Sequence, residues 1–246
     1  MKKSKKWYKD VENSASSLDL YAKVEDLLGV KEAAPRLYAH YLLFLTSVNF
    51  DSLLDVGCGS GDFLLQMQEA LGIMAPKGID LSPLMVQKSS QKGIDATCID
   101  LCELEDKYDV ITAVFDMLNY LDKPSFGRFL ACVSTHLNEG GFFLCDINTL
   151  YGFKDVAVGS YVVDDKERFL TIDSDFEANE YVSEFTLFEK EGAHFKKSQE
   201  TIRQYYHTVD EIIKLSGLKL VSSDLVTLYE MDRADKKFLV FEKNKQ

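Results

Sequence analysis

The chain is poor in several things, and each shortage closes off a class of protein. Basic charge is one: 28 lysines and arginines face 40 aspartates and glutamates, a net charge of −12. That balance works against the phosphate contacts on which nucleic-acid affinity rests, so nucleic acid is disfavoured as a partner. The basic tip of Lys2, Lys3, Lys5 and Lys6 is too short to reverse this and reads as a solvated tail. No apolar stretch approaches the ~18 residues of a membrane span, and no secretory leader is visible, so no membrane partner is expected. Histidines number only 4 and cysteines an odd 5, namely Cys58, Cys98, Cys102, Cys132 and Cys145. Cys98 and Cys102 are spaced C-x3-C, yet no second pair or matched histidines complete a zinc site, and no metal is expected. Scattered among apolar residues, the cysteines read as reduced, core-packing thiols of a cytoplasmic protein. What the chain does have, 46% hydrophobic and 12% aromatic residues over 246 positions, suits one large α/β domain, with or without an insertion.

The most informative stretch runs from Ser52 to Leu65. Leu53 to Val56 is a short apolar run that reads as a buried strand, and Phe63, Leu64, Leu65, Met67 and Leu71 then recur at helical spacing. Between them lies Gly57-x-Gly59-x-Gly61. Glycines let a ligand approach the backbone, and the helix start offers unpaired N–H groups. A nicotinamide fingerprint would want its third glycine one place later, where this chain has Asp62. A carboxylate there sits badly beside a pyrophosphate, so the loop suits a nucleoside ligand without phosphates.

The run Leu54-Asp55-Val56-Gly57-Cys58-Gly59-Ser60-Gly61 resembles the first motif of the class I S-adenosylmethionine-dependent methyltransferases, and the resemblance, to their small-molecule type, covers about residues 50 to 150 specifically and the remainder loosely. The resemblance implies a Rossmann-like, doubly wound seven-stranded sheet. It also implies S-adenosylmethionine as cofactor and S-adenosylhomocysteine as product, with Asp55, Gly57, Cys58, Gly59 and Gly61 in the first cofactor-binding loop. Asp80 ends the next short strand about 20 positions past Gly61, where an acid binds ribose hydroxyls in a βαβ unit. Leu81 follows it, and Ser82-Pro83 opens the next helix. Asp100 and Leu101, after the strand at Ala96 to Ile99, are placed by the resemblance at the adenine. Phe115 ends the fourth strand, Lys107 to Phe115, and faces the transfer site.

Four segments are expected. Residues 1–50 form an amino-terminal helical lid, with Pro35 in the first turn of its second helix; Tyr21 and Tyr38 are substrate candidates or ordinary packing residues. Residues 51–150 form the cofactor-binding core. There a helix over Ser125 to Leu137 is ended by Asn138-Glu139-Gly140-Gly141, and His136 is read as a surface or boundary residue. Residues 151–207 read as an inserted antiparallel β roof, because Arg168 to Ile172, Tyr181 to Glu189 and Phe195 to Tyr205 alternate apolar and polar residues. Such roofs occur in small-molecule enzymes resembling the glycine, sarcosine and amino-sugar N-methyltransferases. Residues 208–246 supply the final helix, opened by a Thr208–Glu211 capping box, and the last two core strands.

Methyl transfer asks the protein chiefly to hold donor and acceptor in line. An amine acceptor needs little more, whereas a hydroxyl wants a base. His207 is the candidate base, Arg203 a candidate grip on a substrate carboxylate, and Tyr120 a third catalytic candidate; Asp116, Asn119 and Tyr120 are alternatives for steering an amine or cation. The Asn/Asp-Pro-Pro-aromatic motif of enzymes that methylate nucleobase amines is absent at Asp116 to Tyr120. The reading is therefore methylation of a small molecule, at nitrogen first and oxygen next, by a monomer or homodimer. Two alternatives stay open: a non-catalytic sensor of S-adenosylmethionine or S-adenosylhomocysteine, and an RNA or protein methyltransferase.

Overall fold

The computed structural model describes residues 15–229 and 232–245. The lysine tip lies outside them. Two helices come first, α1 (Ala15–Val24) and α2 (Val30–Leu45), then β1 (Leu53–Val56), α3 (Asp62–Leu71), β2 (Lys77–Asp80), α4 (Pro83–Gln91) and β3 (Asp95–Cys98). β4 (Tyr108–Ala113), α5 (Lys123–His136) and β5 (Leu137–Asn148) follow. The chain then leaves for four strands, β6 (Gly159–Asp164), β7 (Arg168–Glu177), β8 (Glu180–Glu191) and β9 (His194–Tyr205). It returns through α6 (Val209–Ser216), β10 (Lys219–Val226) and β11 (Lys236–Glu242).

Seven of these strands make one sheet in the order β10-β11-β5-β4-β1-β2-β3. β1 to β5 are mutually parallel, and β11 is antiparallel to both β5 and β10. Helices on both faces explain why β1 is buried along its whole length rather than alternating. Phe126, Leu130 and Val133 of α5 and Ile212 of α6 pack one face, while Leu37 and Tyr41 of α2 and Phe63 and Leu64 of α3 pack the other. The strand order reverses between β1 and β4, so a crevice opens at their carboxyl ends.

The second sheet is antiparallel, in the order β6-β7-β8-β9. Its inner face, with Leu170, Phe185, Leu187 and Ile202, closes on Leu20 and Val24 of α1. Ion pairs fasten the same junction: Arg168 to Asp26 at 2.7 Å and Lys23 to Glu189 at 3.1 Å.

Several sequence expectations are corrected. α2 begins at Val30, so Pro35 lies inside it rather than in its first turn. α5 starts at Lys123 behind Asp122, whose carboxylate accepts from the Ser125 N–H, and passes straight into β5 at Leu137. Asn138 to Gly141 therefore belong to the strand, with the left-handed φ of Gly140 marking an irregularity and not a helix stop. His136 is buried, and its Nδ1 contacts the Asp106 carbonyl at 2.8 Å. β6 went unanticipated because five of its six residues are exposed, which leaves no alternation to detect. The thiols are not all reduced or buried: Cys102 and Cys132 are joined in a disulfide, and Cys98 is exposed.

Candidate active site

The β1–α3 turn is shaped by backbone contacts. The N–H groups of Gly57 and Cys58 both donate to the Ile79 carbonyl, at 2.8 and 3.0 Å, which draws the turn onto β2. Gly57, Gly59 and Gly61 all have left-handed φ values, of 73°, 53° and 79°. A side chain at Gly61 would place its Cβ 2.4 Å from Ser89 Oγ, so this glycine serves the packing of α3 on α4. At Gly59 a Cβ would meet nothing within 4 Å; the loop there faces open space. Asp80 fixes this arrangement. Its carboxylate accepts from the Gly59 N–H at 2.9 Å and the Ser82 N–H at 2.8 Å. Burial raises its pKa, against the pull of those two N–H groups.

The crevice over this turn is a cavity of about 800 Å³. That is within the ~300–1,000 Å³ range of small-molecule sites. Of the residues expected at the cofactor, Asp55, Gly57, Cys58 and Gly59 line it, as do Asp80, Leu81, Asp100, Leu101 and Phe115. Gly61 does not, because it turns toward Ser89. Asp55 is buried at the back wall, accepts from Thr112 Oγ1 at 2.6 Å, and is pushed by burial up to about 8. Asp62 heads α3 and pairs with Lys92; burial works to raise its pKa, but that lysine and Ser60 outweigh it and hold it low. Asp100 accepts from the Cys102 N–H at 2.8 Å, turning Leu101 to the cavity. Tyr21 and Tyr38, from the helices before the core, also line it.

The acceptor side differs from the sequence reading. Tyr120 lines the cavity, but His207 and Arg203 do not. The His207 ring stacks on Phe126 with centroids 3.7 Å apart, its Nε2 reaches the Leu121 carbonyl at 2.9 Å, and burial lowers its pKa. Arg203 is buried against Glu180. The reason is strand register. Ile202 and Gln204, on either side of Arg203, face α1 and Asp116, so the intervening side chain must take the opposite face. Gln204, missed from the sequence, donates to Asp116 next to the crevice, and Tyr205 is the β9 residue that lines it. Asn119 is fully buried: its Nδ2 donates to the Tyr205 carbonyl at 2.7 Å and its Oδ1 accepts from the Asn148 N–H at 2.9 Å.

Below the crevice lies a buried ionic cluster that sequence spacing gave no means of seeing. Lys236 Nζ pairs with Asp116, lies 3.6 Å from Asp146, and donates to Asn148 Oδ1 at 2.9 Å. Burial alone would lower the Lys236 pKa, but the two carboxylates beside it raise it. Asp146 accepts from the N–H groups of Phe115 and Asp116, at 2.7 and 2.8 Å, and from the Tyr41 hydroxyl at 2.8 Å.

With this geometry, residues 53–141 match the family model described as a methyltransferase domain. The chain carries a methyltransferase domain. Among solved structures, an S-adenosylmethionine-dependent methyltransferase from Clostridium acetobutylicum superposes with a TM-score of 0.74 at 22% identity, covering 92% of this chain and 100% of its own. A sugar N-methyltransferase from Streptoalloteichus gives 0.70 at 17% identity, over 100% and 99% of the two chains. An amino pentose methyltransferase from Micromonospora echinaspora, bound to S-adenosylmethionine, gives 0.64 at 19%, over 96% and 100%. At such identities the likeness is one of fold, and that fold is the class I methyltransferase fold with its appended antiparallel sheet. No curated protein sequence matches the chain. Among the described residues, no helix is long and apolar enough to cross a membrane, and no cluster of His, Cys, Asp and Glu could hold a metal ion.

Proposed function

We propose that the methyltransferase domain binds S-adenosylmethionine and transfers its methyl group to nitrogen on a small-molecule amine. The single observation that carries this is the left-handed turn at Gly57 to Gly61, open at Gly59 and pinned by Asp80, beneath a cavity of about 800 Å³. A Cβ at Gly59 would project into the space a nucleoside needs, and each Asp80 oxygen keeps a lone pair for a ribose hydroxyl beyond its one backbone donor. Asp100 and Leu101 then border the adenine, and Asp55, Cys58, Leu81 and Phe115 complete the walls. When bound, the cofactor supplies an activated methyl on a cationic sulfur. The chain's own task is to hold the acceptor in line and keep water out, an effect on the order of 7–11 kcal/mol at best.

Nitrogen is favoured over oxygen by what the cavity wall is made of. Among the described residues no histidine lines it, and burial raises the pKa values of Tyr21, Tyr38 and Tyr120, which makes them poor bases. A hydroxyl would need a wall carboxylate as its base, and the one raised towards neutral pH, Asp55, is buried at the back wall and engaged with Thr112, whereas an amine can attack once it is neutral. The size of the cavity speaks for an enzyme over a sensor, whose roof would fill that space. Incubation with methyl-labelled S-adenosylmethionine and matched amine and alcohol acceptors tests the reading. Label should enter amines only; transfer confined to alcohols would overturn the nitrogen assignment, and absence of cofactor binding would overturn the whole.

A further inference from the structure

At the carboxyl end of β4, two consecutive non-glycine residues, Phe115 and Asp116, take left-handed φ values of 56° and 50°. Such a conformation is strained for a residue with a side chain and persists only where the surroundings enforce it. Here Asp146 enforces it by accepting both backbone N–H groups. The result is to hold the Asp116 side chain beside Phe115 and Met117, which both line the cavity. Its carboxylate is gripped from one side by Lys236 and from the other by Gln204 of β9, and remains 15% exposed. A carboxylate has about four acceptor positions, so two donors leave room for a ligand.

The charges in this cluster do not cancel. Asp116 and Asp146 share the single cation Lys236, and among the described residues no other ion pair reaches either carboxylate. Burial raises the Asp146 pKa, but three hydrogen-bond donors and Lys236 point at its oxygens, an arrangement that fits the ionised form. One negative charge is left over. Four tyrosines from four separate segments stand within electrostatic reach of Asp116: Tyr21 of α1, Tyr120 after β4, Tyr181 of β8 and Tyr229 after β10. Burial is the first cause that raises the pKa of each, and the Asp116 charge adds to it. They stay neutral, and Tyr21 and Tyr120 line the cavity, where ring faces and hydroxyl oxygens suit an alkylammonium group.

We propose that Asp116 and this tyrosine collar form the acceptor subsite, and that it selects a protonatable amine over neutral or anionic acceptors. The proposal rests on the cofactor reading above and assigns the residues that choose the acceptor. The amine arrives as ammonium, drawn by the surplus charge, and loses one proton to solvent. Its lone pair forms the new N–C bond as the C–S bond breaks, with that electron pair kept by sulfur. The product nitrogen regains a positive charge and faces Asp116 until it leaves.

Sinefungin tests this without a known acceptor. It is an adenosyl analogue carrying a protonated amine where the sulfonium methyl would be, and S-adenosylhomocysteine is its uncharged counterpart at that point. Calorimetry on the wild-type chain should show sinefungin binding at least ~10-fold tighter, a charge-assisted hydrogen bond being worth ~1.5–3 kcal/mol. Asp116→Asn should cut that preference below about threefold while S-adenosylhomocysteine affinity stays within about twofold. Should this variant fail to fold, Asp116→Ser, which also removes the carboxylate and leaves Lys236 to pair with Asp146, is read in the same way. An undiminished preference in the folded variant, or none in the wild type, overturns the subsite. A folded wild-type chain that binds neither ligand overturns the cofactor reading and the subsite with it.

Discussion

On the sheet side of the cavity, the contacts that set its shape are made by backbone atoms. Gly57 and Cys58 donate to Ile79, Gly59 donates to Asp80, and Cys102 donates to Asp100. On the roof side they are made by side chains that meet from distant segments: Gln204 to Asp116, and Asn119 to the Tyr205 carbonyl. The first kind of wall needs particular residues at short, fixed spacings, because only glycine takes those φ values without cost and only an acid ending β2 can reach back to the loop. The second kind asks only that side chains meet, and many sequences would satisfy it. One wall is therefore specified locally and the other globally.

That contrast can be broken in three places. The largest effect is expected at Gly61→Ala. Its Cβ would fall 2.4 Å from Ser89 Oγ and 3.2 Å from Ile94 Cγ1, in a residue whose φ is 79°. Strain and overpacking, about 1–3 kcal/mol each, should together cost about 2–6 kcal/mol and displace the loop. Thermal unfolding should shift down, and S-adenosylhomocysteine affinity measured by calorimetry should fall by more than ~10-fold. An affinity within about twofold of wild type would show that the loop is not held as described.

Next comes His207→Ala, which should act on stability alone. Loss of the ring stacked on Phe126, with the Leu121 carbonyl left unpaired, should cost about 2–3 kcal/mol in urea unfolding. Turnover at saturating donor and acceptor should not change; a selective loss of turnover would return His207 to the chemistry. The pH dependence sharpens the point. Burial holds the folded-state pKa of His207 below 6.5, so as pH falls through that value the unfolded chain takes up a proton first. The stability that neutral His207 contributes is present above 6.5 and lost on acidification, and the alanine variant should lack this loss.

The smallest effect is expected at Asp55→Asn. Folding raises this carboxyl from 3.8 to about 8. Its contribution to stability is complete below 3.8 and is lost as pH rises through about 8, because the unfolded chain releases its proton first. The melting temperature of the ligand-free chain should thus decline between pH ~5 and ~8, and Asp55→Asn should flatten that decline. An identical slope in the variant would mean that Asp55 is ionised in the fold.

How much was legible follows from the same contrast. Ser82 before Pro83, the Thr208–Glu211 box and the apolar run of β4 announce their elements through local rules, and each element stands where those rules put it. The boundary of α5 did not, because Gly140 and Gly141 look like a helix stop and are in fact places where the β5 strand runs tight: a Cβ at Gly141 would lie 2.8 Å from the Asp109 carbonyl. Cys102 and Cys132 are 30 residues apart with nothing in their neighbourhoods to pair them. Arg203 and His207 were picked for their chemistry, and chemistry alone says nothing about which face of a strand a side chain takes. A shift of one position moves the choice from Arg203 to Gln204.

Asn119 has a mechanical consequence. Its one amide, itself fully buried, ties the end of β9 to the end of β5. The antiparallel sheet is thereby tied to the main sheet at the end of β5. Clearance above the β4 edge is set by the length of an asparagine side chain, as a spacer sets the gap between two plates.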